Sequence, residues 1–400
     1  MATRTHHKVA IVGGGSAGVS VAARLRAAGQ QDVAVIDPAT THYYQPLWTL
    51  VGGGRAPVEE SARPQESVMP KGVVWIRHAA AEIDPDSREI TLDNGGTVSY
   101  DYLVVCPGIQ LDWDKITGLS STLGKDGVSS NYLYELAPAT WNFIRNTRSG
   151  TAVFGMPAGP IKCAGAPQKI AYLAADHWRQ QGVLNDIDIH LVLPTPAMFG
   201  VKEFSDVLVD VARRYGITVH FESEVTEVRP DTREAVVTDK KNDTTLTLPY
   251  DVMHLVPPQS APDWIKKGPL ADPNNPAGYV EIDKHTMQHT RYPNVFSLGD
   301  AGSSPNSKTG AAIRKQAPVV AKNLVSVMNG QAPTDQYGGY ASCPLTTARN
   351  KMLLAEFDYT MKPTPSIPLI DTIRERTDMW YLKRYGLPFM YWNLMLRGRA

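Results

Sequence analysis

Apolar runs along the chain alternate with segments of mixed, helix-length pattern. Lys8 to Gly29, KVAIVGGGSAGVSVAARLRAAG, predicts a strand, a glycine turn and a helix, and Val33 to Ile36 predicts a second strand. The same order returns further on: a strand over Thr151 to Phe154, a helix over Gln168 to Gln180, and another strand in IHLVLP. A third instance joins a strand in YPNVFSLGDAG, Tyr292 to Gly302, to a helix over Lys308 to Gly330. Strands feeding helices in this order predict an α/β fold with parallel sheets.

The first turn carries Gly13, Gly15 and Gly18 in the spacing G-x-G-x-x-G. The first glycine permits the tight turn, the second lets a pyrophosphate approach the backbone, and the third lets the helix pack on the strand. The helix N-terminus then offers its N–H groups to phosphate. Asp37 closes the second strand, where an acidic side chain accepts from ribose hydroxyls. Together they predict a dinucleotide site in a Rossmann-like unit.

An internal repeat extends the picture. EIDPDSREITL, Glu82 to Leu92, is echoed by EVRPDTREAVV, Glu227 to Val237, and YDYLVVCPG by YDVMHLVPP. The chain therefore holds tandem Rossmann-like units, the second inserted in the first. The expected division is 1–111 with 279–330, then 112–278, then a C-terminal region over 331–400. The second copy reads as disabled: Pro157 and Pro160 lack the N–H groups a phosphate needs, and Leu193 stands where Asp37 stands in the first. In its place Cys163 sits before a helix with Pro167 near its first turn, and beside Lys162. A thiol at a helix N-terminus next to a cation is expected to carry thiolate, although a small buried hydrophobe is the ordinary fate of a free cysteine.

Composition narrows the classes. Among 400 residues, Lys plus Arg and Asp plus Glu number 40 each, so no global charge favours nucleic acid. No apolar run of 18 residues occurs, and the ten histidines show no metal-ligand spacing. The three cysteines, Cys106, Cys163 and Cys343, are too few for a disulfide scaffold and suit a reducing cytoplasm. Cys106, at the end of an apolar strand, is expected to be a buried, inert thiol.

Two resemblances sharpen the expectation. Asp300 resembles the aspartate that binds the ribityl chain of FAD in the two-dinucleotide flavoproteins; Gly299 precedes it, and the helix beginning near Thr309 and Gly310 would aim its positive end at the flavin. YDYLVVCPG, ending in Gly108, resembles that superfamily's flavin-side strand and turn. HYYQPLWTLVGGG, GPIKCAGAPQKIAYL and YASCPLTTARNKMLLAEFDY then resemble the sulfide:quinone oxidoreductases, specifically their type II group. The resemblance runs from the first glycine motif to the C-terminal region. It implies FAD as cofactor, approached through Gln45 and Pro46, and a redox pair formed by Cys163 and Cys343. Hydrogen sulfide attacks that pair, one cysteine keeps the sulfur as a persulfide, the other faces the flavin, and two electrons leave to a membrane quinone. The resemblance leaves the two roles open; because the helix-N-terminal loop favours thiolate at Cys163, Cys343 is expected to carry the persulfide and Cys163 to face the flavin. A small sulfur acceptor completes the cycle. The rival expectations are a type II NADH:quinone dehydrogenase and a flavin-binding redox sensor without turnover.

The last thirty residues change character. Aromatic and apolar side chains from Trp380 to Leu396 crowd between Arg374, Arg376, Lys383, Arg384, Arg397 and Arg399, and Gly386 and Pro388 are expected to split the segment into two short helices. Such a segment suits a helix lying in a membrane interface, as an entrance for a lipid-soluble quinone, with the Phe357 region helping to line the pocket. A dimer contact or a helix packed on the core is the alternative. The expected setting is peripheral, on the cytoplasmic face of the cell membrane.

Overall fold

The computed structural model describes residues 4–163, 165–367 and 369–400. β1 (Arg4–Val12) runs into α1 (Ser16–Ala27) through the glycine turn, and β2 (Val33–Ile36) returns beside it. Val9 to Val12 and Val33 to Ile36 are all buried, as strands covered on both faces must be. β1 pairs in parallel with β2 on one side and with β3 (Thr97–Val105) on the other. Val74–Ile76 extends the sheet beyond β2. Beyond β3 lie Glu89–Leu92 and Ala80–Asp84, and Val295–Ser297, distant in sequence, pairs in parallel with the end of β3.

The second unit repeats this plan. β4 (Gly150–Gly155) leads to α2 (Ala166–Gln180), which returns to β5 (Ile187–Val192). With Val128–Ser129, Val252–Leu255 and Thr218–His220 these strands form a five-stranded parallel sheet. The sequence repeat is a structural one. Glu82–Leu92 and Glu227–Val237 each fold as an antiparallel hairpin, and the matching residues Arg88 and Arg233 both take a left-handed backbone, with φ of 58° and 54°. The segments that link the units pair with each other, Gln110–Leu111 against Gln259–Ser260.

α3 (Gly310–Met328) packs on α1 and begins two residues later than its sequence pattern suggests, because Thr309 caps it: the Thr309 hydroxyl accepts from Ala312 N at 3.1 Å. After it, β6 (Ala341–Ala348) and β7 (Lys351–Phe357) form a hairpin that lays Cys343 opposite Ala355 and packs on α2.

The tail departs from expectation. Gly386 and Pro388 do not separate two helices. A helical turn at Thr377–Tyr381 passes through a π turn at Leu382–Gly386 into α4 (Leu387–Asn393). The wide turn accommodates Pro388, which has no N–H to donate and whose ring needs space beside the preceding carbonyls. Part of the apolar crowd is also inside: Trp380, Tyr391, Trp392, Met395 and Leu396 are at most 5% exposed. Only Tyr381, Tyr385 and Phe389 project, at 55, 57 and 63%. No helix among the described residues is long and apolar enough to cross a membrane.

Candidate active site

The three glycines of the first turn do different physical work. Gly13 has φ of +105°, and a Cβ there would collide with the Cys106 carbonyl. A Cβ on Gly18 would collide with Gly13 O, so the helix could not seat on the turn. A Cβ on Gly15 would meet nothing within 4 Å. Its open side faces a cavity of about 460 Å³, within the range of small-ligand sites. Asp37 lies behind the loop. Its carboxylate accepts from Gly14 N and, at 2.7 Å, from Ala39 N. Burial raises its pKa and those two N–H groups pull it back.

The same cavity gathers Gln45, Pro46, Cys106, Gly108, Cys163, Asp300, Thr309 and Gly310 from segments far apart in the chain. Gly13, Gly18, Asp37 and Gly299 are not on its wall. Gly299 instead turns the backbone, with φ of +68°, and donates to Gln316 Oε1 at 2.9 Å. Asp300 lies among cations. Burial raises its pKa, while the Lys308 and Lys162 ammoniums lower it. Lys308 is itself pushed down to about 8 by burial, and donates to the Asp300 and Gly302 carbonyls at 2.7 and 2.9 Å. A glycine cradle, an acid behind it, an acid among lysines and a capped helix start fit an elongated dinucleotide cofactor.

Cys163 and Cys343 meet. They are 180 residues apart in sequence, yet their Sγ atoms stand 3.3 Å apart, both free. A disulfide needs about 2.05 Å, so a small side-chain movement closes the bond. Two local features bring this about. Cys163 takes φ of +54° and donates its N–H to Lys308 O at 2.8 Å, which ties the thiol loop to the start of α3. Gly165 leaves room for the partner: a Cβ there would lie 2.6 Å from Cys343 Sγ and overlap Leu345.

The electrostatics correct the sequence reading. Lys162 is not the cation that supports the thiolate. Its ammonium turns away and donates to Gln45 Oε1 at 2.8 Å. Lys169, in the second turn of α2 and buried, donates to Cys163 Sγ at 3.0 Å. The hydrogen bond from Cys343 and the charge of Lys169 overcome burial and hold the Cys163 thiol well below its ordinary value. Cys343 moves the other way, raised by its bond to Cys163 and by burial. Lys383, from the tail, adds a second buried ammonium. Burial and repulsion from Lys169 bring its pKa down to about 7. One thiolate, one thiol and two lysines thus form a polarised pair. Cys163 lines the cavity; Cys343, 2% exposed, stands behind it.

Cys106 is buried, with its Sγ 3.7 Å from Gly13 O, and burial raises its pKa. Leu382, Lys383, Leu387, Met390 and Met395 of the tail are also on the cavity wall. Phe357 is not on the wall; it packs against Phe199 with ring centroids 5.6 Å apart. Glu356, one residue earlier, is on the wall. It was missed in the sequence, and it accepts from the Tyr340 and Ser366 hydroxyls at 2.5 Å each.

In the second unit, the loop after β4 is occupied by the protein itself. Ala158 N donates to Glu224 Oε1 at 2.7 Å. Leu193 is fully buried.

Comparison with known proteins agrees with this geometry. The family model described as pyridine nucleotide-disulphide oxidoreductase matches residues 7–317. The mitochondrial sulfide:quinone oxidoreductase of Mus musculus is 42% identical over 398 residues, covering 99% of this chain and 87% of that one. Its counterpart in Dictyostelium discoideum is 40% identical, covering 98% and 86%. The crystal structure of the sulfide:quinone oxidoreductase of Aquifex aeolicus shares the fold, with a TM-score of 0.83 at 20% identity over 99% of this chain and 92% of that one. The chain belongs to the pyridine nucleotide-disulphide oxidoreductase family and, within it, to the sulfide:quinone oxidoreductases.

Proposed function

We propose that the chain oxidises hydrogen sulfide at the Cys163–Cys343 pair and delivers two electrons to a membrane quinone, with FAD as its flavin. The observation that carries this reading is the 3.3 Å approach of two sulfurs 180 residues apart on the wall of the glycine-loop cavity. FAD would lie with its pyrophosphate on Gly13–Gly18, a ribose hydroxyl at Asp37, its ribityl chain at Asp300 and its ring toward Cys163, Gln45, Pro46, Gly108 and the start of α3 at Thr309 and Gly310. A flavin held by these residues would supply the two-electron acceptor between the dithiol and quinone.

The chain's own chemistry follows from the polarised pair. Hydrosulfide attacks Cys343 Sγ of the disulfide; the S–S bond breaks, a persulfide forms on Cys343, and Cys163 leaves as thiolate. Cys163 is the better leaving group because Lys169 stabilises its anion. A nucleophilic acceptor then takes the outer sulfur and frees the Cys343 thiolate, and the two thiolates are the electron source for renewal of the disulfide. That Cys163 lines the cavity and Cys343 stands behind it supports this assignment of roles. Residues 112–278 act as an inserted unit without a nicotinamide site, which the prolines and the Glu224–Ala158 contact support. The tail supplies the quinone end, and its projecting aromatics attach the protein to the membrane that holds the quinone. We place it on the cytoplasmic face of the cell membrane, where thiols stay reduced; fractionation tests this.

The decisive test is anaerobic stopped-flow of the flavin-loaded protein. Wild type is expected to lose its flavin absorbance with sulfide, not with NADH, and to recover it with a quinone. Cys163→Ser and Cys343→Ser are each expected to lower the sulfide-driven rate by about 10³-fold or more, the scale of losing a nucleophile. Normal bleaching of Cys163→Ser would refute its role, and bleaching by NADH alone would select the dehydrogenase.

A further inference from the structure

A second cleft lies beside the tail, apart from the redox cavity. Arg55, Trp141, Trp380, Arg384 and Tyr385 form its walls, with the backbone of Gly54 as floor. Gly54 needs its left-handed φ of +65°, and any Cβ there would strike the Trp141 ring. Arg384 is already committed: it pairs with both oxygens of Glu60 at 2.8 and 3.0 Å and donates to Arg55 O at 3.1 Å. Arg55 is not. Its guanidinium lies 5.0 Å from the centre of the Trp380 ring, and its Nε is buried without an acceptor among the described residues. Trp380 Nε1 is buried without an acceptor among the described residues as well. Arg349 stands behind the wall, 5.1 Å over Trp141, with its guanidinium on the Gly53 and Gly54 carbonyls. Its pKa is lowered by burial and by Arg55, while Asp176, which accepts from Arg349 N, opposes the shift.

Buried donors are almost always paired with an acceptor. Here two N–H donors, on the lining residues Arg55 and Trp380, lack one among the described residues, and the Glu60 carboxylate beside them is already held by Arg384. We propose that this cleft binds a phosphate-type oxyanion, presented by the headgroup of an anionic phospholipid or by a soluble phosphate. Arg55 offers the planar fork that suits phosphate oxygens, and the Trp380 indole N–H offers a further donor. The lipid source is favoured by position: Tyr385 on the rim and its neighbours Tyr381 and Phe389 are the projecting aromatics of the tail, the residue types of the headgroup zone. The preference for lipid rests on the membrane reading above; the oxyanion site rests on the cleft alone.

The test uses the full, flavin-loaded protein in three arms: phosphatidylcholine vesicles, the same vesicles containing phosphatidylglycerol, and inorganic pyrophosphate in chloride buffer at fixed ionic strength. Arg55→Gln is expected to weaken binding to the anionic vesicles by about tenfold or more, as loss of a charge-assisted hydrogen bond to phosphate should. Arg374→Gln, 81% exposed in its side chain, is expected to cost at most about fivefold, the effect of one basic residue near an anionic surface. Binding to neutral vesicles and sulfide-driven bleaching should not change. Trp380→Phe, which keeps the ring and removes the donor, should weaken anion binding in the same direction, and Arg55→Lys should be intermediate. Pyrophosphate binding that depends on Arg55 without a vesicle effect assigns the site to a soluble phosphate and upholds it. Vesicle binding by neither composition, with pyrophosphate still bound, overturns the membrane reading alone. Equal effects of Arg55→Gln and Arg374→Gln, or no Arg55 dependence in any arm, overturn the site.

Discussion

Lys169 decides which of the two cysteines is the anion. A buried ammonium 3.0 Å from Cys163 Sγ favours its charged form, and removing that charge must raise the thiol pKa. Lys169→Met is therefore expected to move the titration of Cys163 in the reduced protein to higher pH by at least about one unit, equivalent to about 1.4 kcal/mol. The pH dependence of alkylation by iodoacetamide reads this, and the acid limb of sulfide turnover should shift in the same sense. Lys169→Arg should restore most of it, because the charge returns. Lys162→Met should not move the thiol, since its ammonium is spent on Gln45. A shift with Lys162→Met and none with Lys169→Met would reverse the assignment. The sequence pointed to Lys162 because adjacency is visible in a string and a helical turn is not. Only the fold shows that every residue from Ala166 to Asp176 is buried, Lys169 included, which turns its ammonium onto the thiol.

At the scale of elements, the site is a meeting of two ends, the start of α2 and the middle of β6. Gly165 sets how closely they approach. Its φ of −82° is ordinary, so Gly165→Ala carries no backbone strain, and its whole effect is the added methyl against Cys343 Sγ and Leu345. We expect Gly165→Ala to lower sulfide turnover by about tenfold or more, as small misplacement of reacting groups does, with flavin content unchanged. Counting free thiols after mild oxidation gives an independent measure: wild type should lose two, the variant fewer. Wild-type activity and thiol loss would show that the hairpin yields and that Gly165 sets nothing. The glycine turn, Asp37 and the helix start at Thr309 were legible because each is a local pattern whose chemistry lies within a few residues. The pairing of Cys163 with Cys343 came only through resemblance, since no local pattern spans 180 residues. The contact of Glu224 with the second loop was not legible either, for the same reason: the prolines are local, and the carboxylate arrives from another strand.

At the scale of the molecule, the tail packs on the first unit and lines the cavity, and one hydrogen-bonded chain fastens it. Tyr391 OH lies 2.7 Å from Ser16 Oγ in the glycine turn and 2.6 Å from His42 Nε2. His42 Nδ1 lies 3.1 Å from Gln65 Oε1, and Gln65 donates to Gly14 O at 2.7 Å. Burial lowers His42 to about 4, so this imidazole is neutral at ordinary pH and the chain is unaffected by titration near pH 7. The inner face of the tail therefore acts on cofactor retention and the outer face on membrane contact, and the two should separate by mutation. Tyr391→Phe leaves His42 and Ser16 short of a partner inside the protein, at about 1–3 kcal/mol. It is expected to lower the thermal midpoint and speed flavin loss. Tyr381→Ser with Phe389→Ser removes only projecting rings. It should leave stability, flavin content and sulfide-driven bleaching intact, yet slow reoxidation by a long-chain quinone in vesicles while sparing a short, soluble quinone. If the double variant slows both quinones equally, or slows bleaching by sulfide, the outer face belongs to the active site and not to the membrane, and the division of the tail into two working faces fails.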